Sequence, residues 1–257
     1  MTNAAMATGG EFRIGPIFGR AWSVYTSNFL KFSVIALVIA LPQLLTGDSH
    51  DAGASASVAG GAWKLVAFII GMIVNTVGQA VILYGAFQVM RGRVMLIGEA
   101  VRRGLSRFWS IIGLAILATL GIIIGIILLI VPGIMLAIRW SVALPACVVE
   151  NLGPLAAMRR SAELTKGHRW KIFGVFILIL VIVLIAAMII GLIVAAVVGA
   201  IAFATEGIIA LVLAGLLGLV GAAVYTAYLN IVLVMLYHDL RVAKEGVDTD
   251  QIAAVFD

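Results

Sequence analysis

Residues Ile172 to Ala204 read IFGVFILILVIVLIAAMIIGLIVAAVVGAIAFA, with no charged side chain anywhere in the run. An α-helix needs roughly 20 apolar residues, at about 1.5 Å each, to cross about 30 Å of hydrocarbon. This stretch is longer than that. A spanning β-strand would alternate apolar and polar residues. Runs such as Ile122-Ile123-Ile124 and Ile127-Leu128-Leu129-Ile130 do not alternate. A helix also satisfies every backbone polar group within its own segment, as hydrocarbon requires. The fold class is therefore an all-α, polytopic membrane helix bundle.

The rest of the chain agrees. Hydrophobic residues make up 63% of the sequence and charged residues 11%, against about 45–50% and about 25% in soluble domains. That balance excludes an ordinary soluble domain, a disordered chain and a nucleic-acid module with a broad basic face. Five more spans are predicted. They are Phe29–Thr46, Trp63–Met90, Trp109–Val131, Ile134–Val149 after a break at Pro132-Gly133, and Ile208–Tyr237. Proline removes a backbone donor and glycine permits a tight turn, which places the break. The spans Ile172–Ala204 and Ile208–Tyr237 exceed the minimum and must tilt or project into water.

Charge fixes the expected orientation. The net charge is +5. Basic residues cluster before and at the start of the first span (Arg13, Arg20, Lys31), between spans two and three, between spans four and five, and after span six. Of the seventeen Lys and Arg, only Lys64 and Arg139 fall elsewhere. The other connections offer Asp48, Asp51 and Glu206. The positive-inside rule then places six spans as three hairpins, with both termini in the cytoplasm.

Each hairpin is preceded by a segment that reads as an interfacial amphipathic helix. Ile17, Ala21 and Tyr25 recur at helical spacing, as do Ile97, Ala100, Val101 and Gly104. The third segment, Leu152–Thr165, puts Leu155, Met158 and Ala162 on one face. The three align as Ile14-Gly15-Pro16, Ile97-Gly98 and Leu152-Gly153-Pro154, followed by Arg20-Ala21, Arg103-Gly104 and Arg160-Ser161. Gly-Pro fits a helix start. A threefold repeat follows. The expected layout is a disordered N-terminus over 1–13, a single integral membrane domain over 14–240 and a cytoplasmic tail over 241–257.

Three groups of residues are candidates for function. Arg102, Arg103, Arg107, Arg159, Arg160, Arg169 and Lys171 are placed to hold anionic lipid headgroups, each near-surface cation being worth roughly 1 kcal/mol. Asn75, Gln79 and Arg139 are polar groups inside spans; an arginine there snorkels or serves a function. Glu150, Asp239 and Arg241 are expected to lock helix ends, with Glu150 and Arg241 as a direct pair. Small-residue stripes at Gly71/Gly78/Gly85, Gly121/Gly125, Gly191/Gly199 and Gly218 are expected to let helices approach closely. Asp48, His50 and Asp51 form at most a weak metal site, so no metal and no cofactor is expected. Cys147 is alone, which excludes an intrachain disulfide. HExxH, GxSxG and GxxxxGK[ST] patterns are absent.

The stretch Arg160 to Trp170, the end Tyr237-His238-Asp239-Leu240-Arg241 with Lys244-Glu245-Gly246-Val247-Asp248, Pro132-Gly133 and Ala143–Ala146 leading to Glu150 resemble a known pattern. It is that of the membrane domain attached to some bacterial glycerophosphoryl diester phosphodiesterases. The resemblance extends from Ile14 to Asp248. Phosphodiester hydrolysis in that family belongs to a separate soluble barrel, so the resemblance carries over no catalytic residue. It implies a non-enzymatic multi-pass protein of the bacterial cytoplasmic membrane, a scaffold or accessory module in contact with membrane lipids and not with nucleic acid. A transporter or channel for a small or lipidic solute is the alternative expectation.

Overall fold

The computed structural model describes residues 15–45, 58–204 and 208–245. The helices are α1 (Gly15–Ser27), α2 (Phe29–Leu45), α3 (Val58–Met90), α4 (Ile97–Ser106), α5 (Phe108–Leu128), α6 (Ile130–Arg139), α7 (Ala143–Val149), α8 (Pro154–Thr165), α9 (Arg169–Ala204) and α10 (Ile208–Glu245). No strand occurs among the described residues. Helices α3, α5, the α6–α7 pair, α9 and α10 are each long and apolar enough to cross a membrane. A sixth crossing arises if α1 and α2, bent 91° to each other, count as one. The chain is thus an all-α polytopic bundle with five to six candidate spans.

Short helices and hairpins alternate along the chain. α1 leads into α2–α3, α4 into α5–α6, and α8 into α9–α10. Each short helix packs on an arm of the hairpin before it: α4 on α3, and α8 on α7 and α5. α1 packs chiefly on α10, the second arm of the third hairpin. Its stripe Ile17, Ala21 and Tyr25 is buried as spaced. Across the 91° bend the Tyr25 hydroxyl is 3.0 Å from Ser33 Oγ, and the Tyr228 hydroxyl of α10 donates to the Phe18 carbonyl.

α4 runs back along α3 rather than lying flat. Tyr84 and Gln88 donate to Glu99 at 2.6 and 3.1 Å, while Gly104 meets Val77 and Ala80 further along α3. Its expected apolar stripe is divided. Ala100 and Gly104 are buried, whereas Ile97 and Leu105 are exposed. On α8 Ala157, Ser161, Ala162, Leu164 and Thr165 are buried and Met158 packs against the core, so of the expected Leu155-Met158-Ala162 face only Leu155 points outward.

The second hairpin, α5–α6, departs most from expectation. The chain reverses at Leu129, in extended conformation with φ −165° and ψ 142°, three residues before Pro132-Gly133. Pro132 sits in the first turn of α6, where its missing donor costs nothing. A methyl group on Gly133 would stand 2.7 Å from the Ile126 nitrogen, and one on Gly125 2.9 Å from Gly133 Cα. The two arms therefore touch backbone to backbone, which lets one extended residue make the turn. The expected span Ile134–Val149 is itself broken over Trp140–Val142. Pro145 accounts for the break, since it has no N–H for the Ser141 carbonyl and its ring crowds that oxygen. The Arg139 carbonyl at the broken end accepts hydrogen bonds from Ser161 Oγ at 2.8 Å and Thr165 Oγ1 at 3.3 Å. Those hydroxyls hold Ser161 and Thr165 on the inward side of α8. Because α5 and α6 form an antiparallel hairpin, the chain returns to the end it left.

Of the small-residue stripes, some are used and some are not. Gly78 lies against Ile39, Gly85 against Met95 and Gly121 against Trp140, each with no room for a side chain. Gly191, Gly199 and Gly218 face open space. α9 and α10 are about 54 and 57 Å long at 1.5 Å per residue. Among the described residues, the buried apolar side chains are Ile172 and Val175 in α9, and in α10 they lie between Ala223 and Leu240. The apolar side chains of 177–197 are mostly exposed and present a surface suited to lipid. α10 also runs through Arg241 to Glu245, past the expected start of the tail.

Candidate functional site at the basic end of the bundle

The packed ends of α3, α7, α8 and α10 bring the charged residues together. Glu150 follows α7 directly. Arg160 Nε donates to both its carboxylate oxygens at 2.9 Å, and the Tyr237 hydroxyl donates to Oε1 at 2.6 Å. Arg160 also pairs with Glu245, whose other oxygen accepts from Arg241 Nε at 2.8 Å. The chain Glu150–Arg160–Glu245–Arg241 thus replaces the expected direct contact of Glu150 with Arg241. Arg241 turns to its i+4 neighbour on the same helix, and Glu150 is taken by α8. Burial opposes the charge on Arg160, but hydrogen bonds to Glu245 and Glu150 outweigh it and raise its pKa above the usual arginine value. Asp239 pairs with Arg20, tying α10 to α1.

The other sequence candidates are dispersed. Arg102, Arg159 and Lys171 are exposed, and Arg107 is half-buried. Arg169 buries an Nε that has no hydrogen-bond partner. Within α3, Gln79 donates to Asn75 at 2.6 Å, so the two satisfy each other. Arg139 ends α6 with its side chain exposed. None of these three lines either cavity described next. Asp48, His50 and Asp51 lie outside the described residues, among which no cluster of three His, Cys, Asp or Glu can hold a metal ion.

Two cavities open at this end. The first is a groove of about 510 Å³ between α6 and the start of α9. Val131, Ile134, Met135 and Phe173 form its walls, and Lys166 and Arg169 stand on its rim. Its floor passes Gly167, whose φ of +87° makes the tight turn from α8 to α9. The second is a cleft of about 440 Å³ lined by Arg91, Arg93, Arg103, Arg241, Tyr84, Gln88 and Glu150. Arg91 and Arg93 were not among the candidates from sequence. Their signal was the spacing of two arginines about a turn glycine, Gly92 (φ +67°), immediately after a span.

His168, in the same turn as Gly167, has its pKa lowered, first by burial and then by the positive charges of Lys244 and Lys171. The folded protein therefore disfavours protonation at this site. Its contribution to stability is complete above the ordinary histidine value of 6.5 and is lost as pH falls from there through the folded pKa. A melting curve in detergent taken from neutral pH to about pH 5 should show a falling melting temperature, and His168→Gln should flatten that slope.

Searches of curated proteins and of solved structures return no match. The sequence profile of the membrane domain of glycerophosphoryl diester phosphodiesterase matches residues 111–251. The match takes in α5 to α10, and with them Glu150, Arg160, Tyr237, Arg241 and Glu245 of the ion-pair chain; α1 to α4 precede it. What is matched is the membrane part of those enzymes and not their catalytic part. On the fold, the candidate spans and this match over more than half of its length, the chain belongs to the glycerophosphoryl diester phosphodiesterase membrane domain family.

Proposed function

We propose that the protein is a non-enzymatic module of the bacterial cytoplasmic membrane that holds anionic lipid, with both termini on the cytoplasmic side. The groove between α6 and α9 carries this reading. Its walls are aliphatic and aromatic, as an acyl chain requires, and Lys166 and Arg169 stand where a headgroup phosphate would lie. Trp170, 84% exposed beside them, has the amphipathic ring typical of the membrane–water boundary. The segregation of Lys and Arg to one end supports the cytoplasmic assignment. A scaffold or accessory role follows, since a bound lipid would fix the α6–α9 angle without any chemistry at the site.

The test is lipid retention. The full chain, purified in mild detergent from membranes containing phosphatidylglycerol and phosphatidylethanolamine, should retain the anionic lipid in excess by mass spectrometry. Two cations at roughly 1 kcal/mol each predict up to about thirtyfold weaker anionic-lipid binding in Lys166→Gln/Arg169→Gln at low salt. Equal retention of both lipids by the wild type would remove the proposal.

A further inference from the structure

We infer that the second cavity, the cleft between α3, α4, α7 and α10, is a binding site for a phosphoryl group. It is separate from the α6–α9 groove and does not depend on the reading of that groove. The argument begins with three arginines at matching places in the three short helices. Arg20, Arg103 and Arg160 each precede a small residue, Ala21, Gly104 or Ser161, and all three small residues are buried where the short helix touches its neighbour. Arg20 pairs with Asp239. Arg160 pairs with Glu150 and Glu245. Among the described residues Arg103 has no carboxylate partner. Its Nε is buried without a hydrogen-bond acceptor, and its guanidinium lies 5.6 Å from the centre of the Tyr84 ring.

A buried donor without an acceptor is costly unless something supplies one. Arg103 lines the cleft together with Arg91, Arg93 and Arg241. The carboxylate in the lining, Glu150, is already held by Arg160 and Tyr237. Glu99, nearby on α4, is held by Tyr84 and Gln88. The carboxylates beside the cleft are thus held by other groups, and of the four arginines that line it Arg241 is paired with Glu245 while Arg103 keeps a buried Nε without an acceptor. Arg91 stacks on Phe87 at 4.3 Å from the ring centre, as Arg103 does on Tyr84, so the aromatic faces hold two of the four planes in place. Planar, always-charged forks lining one cleft match phosphate oxygens, which accept from several donors at once. The cleft also has room for more than the phosphate itself. The chemistry common to all fitting ligands is a phosphate monoester, whether free in solution or as the headgroup of phosphatidic acid.

The experiment uses the full chain in nanodiscs of phosphatidylcholine. Melting temperature and isothermal titration are recorded with glycerol 3-phosphate in solution, and in a parallel arm with phosphatidic acid built into the disc. Each arm is set against chloride or phosphatidylcholine at matched ionic strength. The expected result is saturable stabilisation in at least one arm, and the arm that responds identifies the source. Arg103→Gln should weaken that binding about tenfold or more, the loss of one bidentate charge-assisted contact. Arg93→Gln, an exposed site whose loss leaves packing intact, should weaken binding without lowering the melting temperature of the free protein. Lys166→Gln/Arg169→Gln should leave it unchanged, which separates this site from the groove. No saturable effect in either arm, or wild-type binding by Arg93→Gln and Arg103→Gln, would overturn the inference.

Discussion

Alanine at Gly133 should destabilise the protein by about 3 kcal/mol, the upper end of what overpacking costs in a close-packed interior. The added methyl would meet the Ile126 backbone, 2.7 Å from its nitrogen and 2.9 Å from its Cα. Backbone cannot step aside as a flexible side chain does. The α5–α6 arms must separate, and with them the position of Arg139, whose carbonyl ties α6 to Ser161 and Thr165 of α8. Gly191→Ala is the control, because nothing lies within 4 Å of that site. There the gain in helix propensity, about 0.5–1 kcal/mol, should hold or raise the melting temperature. Thermal unfolding in detergent compares the two. If Gly133→Ala melts with Gly191→Ala, the hairpin contact described above is wrong.

Removing Glu150 should have the second largest effect. Glu150→Ala takes the carboxylate from Arg160 and the acceptor from the Tyr237 hydroxyl together. Breaking a fully buried pair costs about 3–5 kcal/mol. Here the Arg160 and Glu150 side chains are 23% and 18% exposed, and Arg160 keeps Glu245, so a loss of about 2 kcal/mol is expected. Charge exchange identifies the partner. Glu150→Arg with Arg160→Glu should recover part of the stability lost in each single variant, whereas Glu150→Arg with Arg241→Glu should not. A double-mutant cycle on melting temperatures reads the coupling directly. Recovery in the Arg241 pair instead would restore the direct contact that the sequence suggested.

The class of the fold was legible because hydrocarbon tolerates few solutions, and a run such as 172–204 can be little else. Family membership was legible because Arg160, Tyr237 and Glu150 recur in a known pattern, although the profile match begins at residue 111 rather than near residue 14. What escaped was geometry within apolar sequence. Hydropathy is uniform from Trp109 to Ile138 apart from Pro132-Gly133, so it carries no sign that the turn falls at Leu129. The break at Trp140–Val142 depends on Pro145 and on hydroxyls 22 and 26 positions away, which no local pattern reports. Gly125 and Gly191 look alike in sequence, yet one lies against backbone and the other against open space. The cleft was partly visible, since Arg103 and Arg241 stood out. Arg91 and Arg93 joined it only when the end of α3 was brought against α4 and α10.

The docking of α1 on α10 sets the order of assembly. Arg20 and Asp239 are 219 positions apart, so α1 waits for α10 before this contact can form. At about 5–20 residues per second that wait is roughly 10–40 s. Through that time the α1 face that meets α10 is covered only by what α2 and α3 supply, and the rest of it must lie on lipid or on the insertion machinery. Synthesis of α10 is therefore also the step that lets α1 settle.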